Sequence, residues 1–132
     1  MNWAELFIVL IAGHLVGDFI LQTEWQAVYK SGGLSGDRTR ARALWTHVAW
    51  YSLSMLPALI WIAQSAGGVA AALGAFVVIA VPHAIQDDRR LLAAYARRVK
   101  HMDPDAEPLV MLGLDQSFHT VALLLTALAF AS

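Results

Sequence analysis

Three pairs of histidine and aspartate lie in hydrophobic stretches of the chain, and the two members of each pair are four residues apart. The pairs are His14 with Asp18, His83 with Asp87, and Asp115 with His119. Because residues four apart share one face of an α-helix, each pair predicts two metal ligands side by side. The third pair has the reverse order. A helix that crosses a membrane in the opposite direction would therefore place its aspartate and its histidine at the same two depths as the others.

The composition indicates an all-α membrane protein. The chain has 132 residues, of which 58% are hydrophobic and 14% are charged. Four apolar stretches approach the roughly 20 residues that an α-helix needs to cross about 30 Å of hydrocarbon. They are residues 3–21, 44–63, 69–87 and 109–131. We therefore predict one domain, residues 1–132, that folds as a bundle of four transmembrane helices. The first stretch lacks the basic start of a signal peptide, so we interpret it as a helix of the bundle.

All nine lysines and arginines lie in two segments, residues 22–43 and 88–108. The positive-inside rule predicts that both segments are cytoplasmic and that the N and C termini lie outside. This pattern indicates a multi-pass protein of the bacterial inner (plasma) membrane. In the second segment, Leu91, Leu92 and Tyr95 form an apolar stripe beside arginines. We expect a short amphipathic cytoplasmic helix there, between the third and fourth spans.

With this topology, seven histidines and aspartates from four helices fall in the cytoplasmic half of the bilayer. They are His14, Asp18, His47, His83, Asp87, Asp115 and His119. An aspartate at the centre of a membrane helix costs about 2.5 to 3.5 kcal/mol, so we expect Asp18 and Asp115 to have partners. One interpretation is a metal site. The alternative is that these residues form hydrogen bonds with one another and only fix the packing of the helices.

Four imidazoles and three carboxylates are more ligands than one tetrahedral ion needs. We therefore predict two metal ions with a bridging aspartate, while one ion with catalytic side chains stays an alternative. The ligand types suit Zn²⁺, Mn²⁺ or Fe²⁺, and the chain has no cysteine. We expect Asp18 and Asp115 to be catalytic as well. Gln22, Gln86 and Gln116 flank the ligands, so they could orient them or hold a substrate oxygen, or simply form hydrogen bonds at helix ends.

Two metal ions in such a site would activate water and bind an anionic oxygen, which is the chemistry of hydrolysis. The basic segments attract anionic head groups by about 1 kcal/mol per basic residue, although topology alone explains the same arginines. These features predict a metal-dependent hydrolase of an amphipathic, lipid phosphate-type ester. The alternatives are a divalent metal or proton transporter or sensor, a di-iron oxidoreductase, and a non-catalytic membrane subunit with a structural polar layer. We expect lipid partners and a homodimer, packed through small residues such as Gly74, and no nucleic acid.

Four motifs together resemble a known family. They are His14-Leu-Val-Gly-Asp18-Phe-Ile-Leu-Gln22-Thr, the lone His47, His83-Ala-Ile-Gln-Asp87, and Asp115-Gln116-Ser-Phe-His119. The chain resembles, over nearly its whole length, the bacterial membrane family catalogued as domain of unknown function 3307. That family is distantly similar to membrane-bound metal-dependent hydrolases, which also place histidines and aspartates in short transmembrane helices, and this similarity implies a hydrolase. The run Asp87-Asp88-Arg89 departs from the pattern, in which a lysine closely follows the aspartate, so the role of Asp88 stays open.

Overall fold

Helices account for most of the backbone that the structure describes. A computed structural model describes residues 2–65 and 67–131, and no strand occurs among them. The elements in chain order are α1 (Trp3–Leu15), a π-helical segment (Val16–Ile20), α2 (Glu24–Tyr29), α3 (Arg38–Ser54), α4 (Leu56–Ala63), α5 (Gly68–Asp87), α6 (Arg90–Arg98) and α7 (Pro108–Phe130). The prediction of an all-α fold is confirmed.

Three helical segments among the described residues are long and apolar enough to cross a membrane. They are Trp3–Ile20, Gly68–Asp87 and Pro108–Phe130. A fourth candidate is the pair α3 and α4, which meet at an angle of 51°. The predicted spans 3–21, 69–87 and 109–131 thus match the observed helices to within one residue at each end.

The predicted second span, residues 44–63, differs from the structure in two ways. The observed helix begins earlier than predicted, at Arg38, because the Asp37 side chain accepts a hydrogen bond from the Arg40 amide at 2.8 Å and caps the helix. It also bends at Met55. Pro57 has no amide hydrogen, and its ring would clash with the carbonyl four residues earlier, so α3 ends at Ser54 and a new helix starts after the bend.

The two basic segments contain helices of their own. In the first, α2 begins with a capping box in which Thr23 and Gln26 each accept a hydrogen bond from the other's backbone amide. In the second, α6 is the short amphipathic helix expected from the sequence: Leu92 is buried, whereas the Arg90 and Arg97 side chains are more than half exposed. The turn between α5 and α6 passes through Arg89, which has a left-handed φ of 62°.

Two glycines allow the first helix to approach α3 closely. A Cβ atom added at Gly13 would lie 2.9 Å from the Ser54 carbonyl oxygen, and one added at Gly17 would lie 2.7 Å from Cδ2 of Tyr51. Small residues four apart let two helix backbones come near each other, as they do in membrane bundles. This contact brings the π-helical segment, which carries Asp18, beside the middle of α3.

An apolar cluster fills the half of the bundle that lies near the chain termini. Its buried members include Leu6, Leu10, Met55, Ile62 and Ala127, each no more than 1% exposed. The buried histidines and aspartates lie beyond this cluster, toward α2 and α6. The fold therefore separates an apolar end from a polar layer.

Candidate metal centre

All seven histidines and aspartates singled out from the sequence lie in one buried layer. Their exposed fractions range from 0 to 5%. The first helix with its π segment, α3, α5 and α7 each contribute at least one of them. The structure therefore brings together residues that are far apart in the chain. Six of the seven form two groups of ligand atoms that share one carboxylate.

The first group consists of Asp18, His47, His83 and Asp87, whose ligand atoms all lie within 4.8 Å of one another. The two Nε2 atoms of the histidines are 3.1 Å apart. Asp87 Oδ2 lies 2.8 Å from His47 Nε2 and 3.2 Å from His83 Nε2, and Asp18 Oδ1 lies 3.3 and 3.6 Å from the same two atoms. Ligands about 2.0 to 2.1 Å from a tetrahedral ion are separated from one another by about 3.3 Å. The five separations above, from 2.8 to 3.6 Å, lie around that value.

The second group consists of Asp87, Asp115 and His119, again with ligand atoms within 4.8 Å of one another. Nδ1 of His119 lies 2.8 Å from the backbone carbonyl oxygen of Asp115. Because a carbonyl can only accept, this hydrogen bond fixes the proton on Nδ1 and leaves the lone pair on Nε2. That Nε2 atom lies 3.7 Å from Asp87 Oδ1. A backbone hydrogen bond of this kind is the usual support of a metal-binding histidine.

Asp87 is the carboxylate that the two groups share. It is fully buried, its Oδ2 faces His47 and His83, and its Oδ1 faces His119. A carboxylate with its two oxygens directed at two sets of ligands can contribute to both groups.

Several oxygen and nitrogen atoms in the layer have no hydrogen-bond partner among the described residues. Nδ1 of His47 and Nδ1 of His83 are among them, as is Asp87 Oδ2, which lies beside the Lys30 ammonium. The other ligand atoms among them are Asp18 Oδ1, Asp87 Oδ1, Asp115 Oδ1 and His119 Nε2. A buried polar atom without a partner costs about 1 to 3 kcal/mol, and more when it carries a charge. The last four atoms all carry lone pairs and lie within the two ligand groups, so they fit a bound cation. These buried groups can therefore hold a metal ion.

His14 lies beside both groups but belongs to neither. Its Nε2 is 2.9 Å from Gln116 Oε1, and its Nδ1 is 3.3 Å from the Tyr51 hydroxyl and 3.7 Å from Asp18 Oδ2. Gln116 Nε2 in turn donates to Asp115 Oδ2 at 3.4 Å. The contacts form a chain in which Tyr51 donates to His14, His14 donates to Gln116, and Gln116 donates to Asp115. Both ring nitrogens of His14 therefore have partners, and through Gln116 the His14 ring helps to orient the Asp115 carboxylate.

The three glutamines have different surroundings. Gln116 is the one that touches the buried layer, through His14 and Asp115. Gln86 donates from Nε2 to the Phe118 carbonyl oxygen at 3.4 Å. The Oε1 atoms of Gln22 and Gln86 are buried without a hydrogen-bond partner among the described residues.

Lys30 is a member of the layer that the sequence reasoning assigned only to a basic loop. It is 4% exposed, and its Nζ lies 2.9 Å from Asp87 Oδ2 and 3.4 Å from His47 Nε2. The segment after it is tied to the end of α5, because Gly32 N donates to the Asp88 carbonyl at 2.8 Å and Leu34 N donates to Asp88 Oδ1 at 2.7 Å. Asp88 thus holds the loop over the site. No local sequence signal marks Lys30, because its position depends on this long-range tether.

Tyr51 was also missed, although a signal for it exists. It follows His47 by four residues and so lies on the same face of α3. Its ring stacks on that of His83 with centroids 3.4 Å apart, and its hydroxyl contacts His14. The ring closes the layer on the side of the apolar cluster.

Comparisons with known proteins agree with the motifs. Neither the curated proteins nor the solved structures include a significant match to this chain. The family described as "Protein of unknown function (DUF3307)" matches residues 6–132, which is almost the full length and includes every histidine and aspartate of the buried layer. The chain therefore belongs to the DUF3307 family.

Proposed function

We propose that this protein is a membrane-embedded, metal-dependent hydrolase that acts on an amphipathic, phosphate-type ester. In this proposal two divalent ions, Zn²⁺, Mn²⁺ or Fe²⁺, share the carboxylate of Asp87. The observation that carries the proposal is the orientation of this carboxylate, with one oxygen toward His47 and His83 and the other toward His119.

The two groups differ in a way that suits two roles. Asp18, His47, His83 and Asp87 supply four ligands, which complete a tetrahedral shell. Asp87, Asp115 and His119 supply three, and catalytic ions typically keep one position open for water or substrate. Bound there, a divalent ion supplies Lewis acidity and activates water for attack on an ester. We assign the chemical step to the second group.

Side chains of the second group have separate tasks in this proposal. Asp115 is held by Gln116 through Oδ2 and keeps Oδ1 free, so it can bind the ion and accept a proton. Asp18 is a ligand in the first group, where its carboxylate could likewise bind an ion and accept a proton. His14 and Gln116 keep the Asp115 carboxylate in place, which is the function of partners that lie behind metal ligands.

The charge of the layer favours an anionic substrate. Three carboxylates, those of Asp18, Asp87 and Asp115, face one ammonium group, that of Lys30. Two divalent cations together with Lys30 would exceed these carboxylates by two positive charges. A phosphate ester brings compensating negative charge, whereas a neutral ester brings none.

We place the protein in the bacterial inner membrane, with the segments 22–43 and 88–108 in the cytoplasm and both termini outside. The support is the confinement of all nine lysines and arginines to those two segments, together with three or four helices suited to cross a bilayer. In this orientation the buried layer lies in the cytoplasmic half of the membrane and the apolar cluster in the outer half.

The apolar cluster also favours hydrolysis over transport. A transporter of metal ions or protons needs polar groups along the whole path. Beyond Tyr51, the buried side chains in the described part of the chain are apolar except Thr126, and its hydroxyl donates to the Ala122 carbonyl of its own helix. A purely structural layer is opposed by the four unpaired ligand atoms, because hydrogen bonds that only fix packing would leave none.

The test is the release of phosphate from dodecyl phosphate by detergent-purified protein, loaded in turn with Zn²⁺, Mn²⁺ and Fe²⁺. Activity is expected with at least one metal and should disappear with chelator. Asp115→Asn should lower the rate at least about a hundredfold, the scale of a lost acid–base group. Asp105→Asn is the matched control, because the Asp105 carboxylate is 89% exposed and pairs only with Arg97 at 3.7 Å. The proposal is contradicted if no loaded form releases phosphate, or if Asp115→Asn is as active as the control.

A further inference from the structure

A groove of about 410 Å³ lies between α5, α6 and α7. Its walls are apolar and are formed by Pro82, Ile85, Leu91, Leu92, Tyr95 and Phe118. Two polar residues, Gln86 and Asp115, also line it. The groove is thus an apolar space with a polar end.

The polar end of the groove belongs to the candidate metal centre. Asp115 lines the groove and is also a member of the second ligand group. Its Oδ1 atom and the Oε1 atom of Gln86 are buried and lack a hydrogen-bond partner among the described residues. A molecule that filled the groove would therefore bring one end to the proposed reaction site.

The other walls of the groove continue onto the surface that a membrane would cover. Ile85 and Phe118 are both 39% exposed, and Leu91 is 68% exposed. Further along α5 and α7, Val81 and Val121 are more than half exposed as well. Hydrocarbon chains of the surrounding lipids are therefore the molecules that meet this groove, and they can enter it sideways from the bilayer.

We infer that the groove binds the hydrocarbon chain of an anionic, phosphate-bearing membrane lipid, whose head group lies at Asp115 and Gln86. This inference deepens the proposed function and rests on it for the chemistry of the head group. The chain lies along Ile85, Leu92 and Phe118, and the ester to be cleaved reaches the second ligand group. The substrate is thus a lipid and not a soluble phosphate ester.

Affinity in this arrangement comes from the head group. A chain that moves from the bilayer into an apolar groove gains little, since lipid tails are as apolar as leucine. The groove instead selects by shape, and the metal-bearing end supplies the attraction for an anion. Neutral lipids are therefore expected to bind in the groove only weakly.

The experiment uses hexadecylphosphonate, which has no ester bond to hydrolyse, with a diazirine near its methyl end, in phosphatidylcholine nanodiscs that hold the metal-loaded protein. After irradiation, cross-links should concentrate at residues 82–95 and at Phe118, and excess unlabelled hexadecylphosphonate should remove them, whereas hexadecanol should not. Ile85→Trp and Leu91→Trp place a large ring in the groove, where it takes the space that the hydrocarbon chain would fill. Each should lower cross-linking about tenfold, since the cost of overpacking is on the scale of a tenfold change in affinity. Val77→Trp is the matched control on α5, since Val77 is 54% exposed and does not line the groove.

The two proposals fail in different ways. Metal content should be the same in both groove variants and the control, which also shows that they fold. Cross-links in the groove without hydrolysis of any ester would overturn the proposed function and leave the lipid site in place. Cross-links spread evenly over the outer faces of α5 and α7, or groove variants that label like Val77→Trp, would overturn the lipid site whatever the activity.

Discussion

Lys30 and Asp87 meet in the interior of the bundle, with 2.9 Å between Nζ and Oδ2 and no more than 5% of either side chain exposed. The ammonium group lies beside Asp87 Oδ2, which is the oxygen that also faces His47 and His83. Lys30 therefore supplies positive charge where a metal ion would supply more. If the proposed metal binds, the stability of the protein should therefore depend on both cations.

Replacing Lys30 by methionine should destabilise the metal-free protein by about 3 to 5 kcal/mol, because it leaves the buried Asp87 carboxylate without its cation. Saturating metal should restore most of the loss, since the metal takes the place of the ammonium charge. Thermal unfolding in detergent, with chelator and with metal, measures both effects. Lys100→Met is the control and should change stability by less than about 0.5 kcal/mol, as an exposed position. Equal stability of Lys30→Met and Lys100→Met in chelator would contradict the pairing.

His14 and His119 should behave differently when each is changed to alanine. His119→Ala removes a ligand whose Nε2 faces Asp87, so the protein should lose about one equivalent of metal. His14→Ala removes only a support of Asp115, so both ions should still bind, with an affinity about 10 to 100 times lower for one of them. Metal titration followed by elemental analysis distinguishes a changed stoichiometry from a changed affinity. Loss of a whole equivalent in His14→Ala would place this residue among the ligands.

Much of the buried layer could be predicted from the sequence, because the spacing of four residues is a local property of helices. This spacing identified six of the seven histidines and aspartates that the fold brings together, and the lone His47 was added because it lies in the remaining apolar stretch. The spacing gave no indication that Tyr51 and Gln116 contact the two ring nitrogens of His14, since these contacts form across the bundle. The burial of Lys30 could not be predicted either, because its position depends on the hydrogen bonds that Asp88 makes with Gly32 and Leu34.

The break in the second span could be predicted only in part from the sequence. Pro57 was visible in the sequence, and a proline can kink a membrane helix or end a segment of it. The structure has a bend of 51° because α3 ends at Ser54 and α4 starts at Leu56. The packing of both helices against the first one decides between these outcomes, and packing is not encoded in local spacing.

Asp88→Ala should loosen the loop that carries Lys30. The Leu34 amide loses its acceptor at 2.7 Å, a hydrogen bond to a charged group of about 1.5 to 3 kcal/mol. Hydrogen exchange at Leu34 should become at least about tenfold faster, because each 1.4 kcal/mol is a factor of ten. Asp103→Ala, in an exposed turn, should leave this exchange unchanged. Unchanged exchange in Asp88→Ala as well would show that the loop is held by other contacts.

Gly17→Ala tests the close approach between the π segment and α3. The new methyl group would lie 2.7 Å from Cδ2 of Tyr51, so the helices must separate, and we expect a destabilisation of about 1 to 3 kcal/mol. Gly113→Ala is the matched control, because a Cβ there meets no atom within 4 Å and alanine favours a helix by about 1 kcal/mol. Thermal unfolding of the two variants should therefore shift in opposite directions. A Gly17→Ala protein as stable as Gly113→Ala would refute the tight contact.

The central claim is that Asp87 joins two metal ions, and metal content measured by mass spectrometry on purified wild type and Asp87→Asn tests it most directly. The reconstituted wild type should contain about two equivalents of Zn²⁺, Mn²⁺ or Fe²⁺, and Asp87→Asn should lose both, since each ion loses a charged ligand. A wild type that binds none of these metals would contradict the account. So would an Asp87→Asn protein that retains the wild-type content.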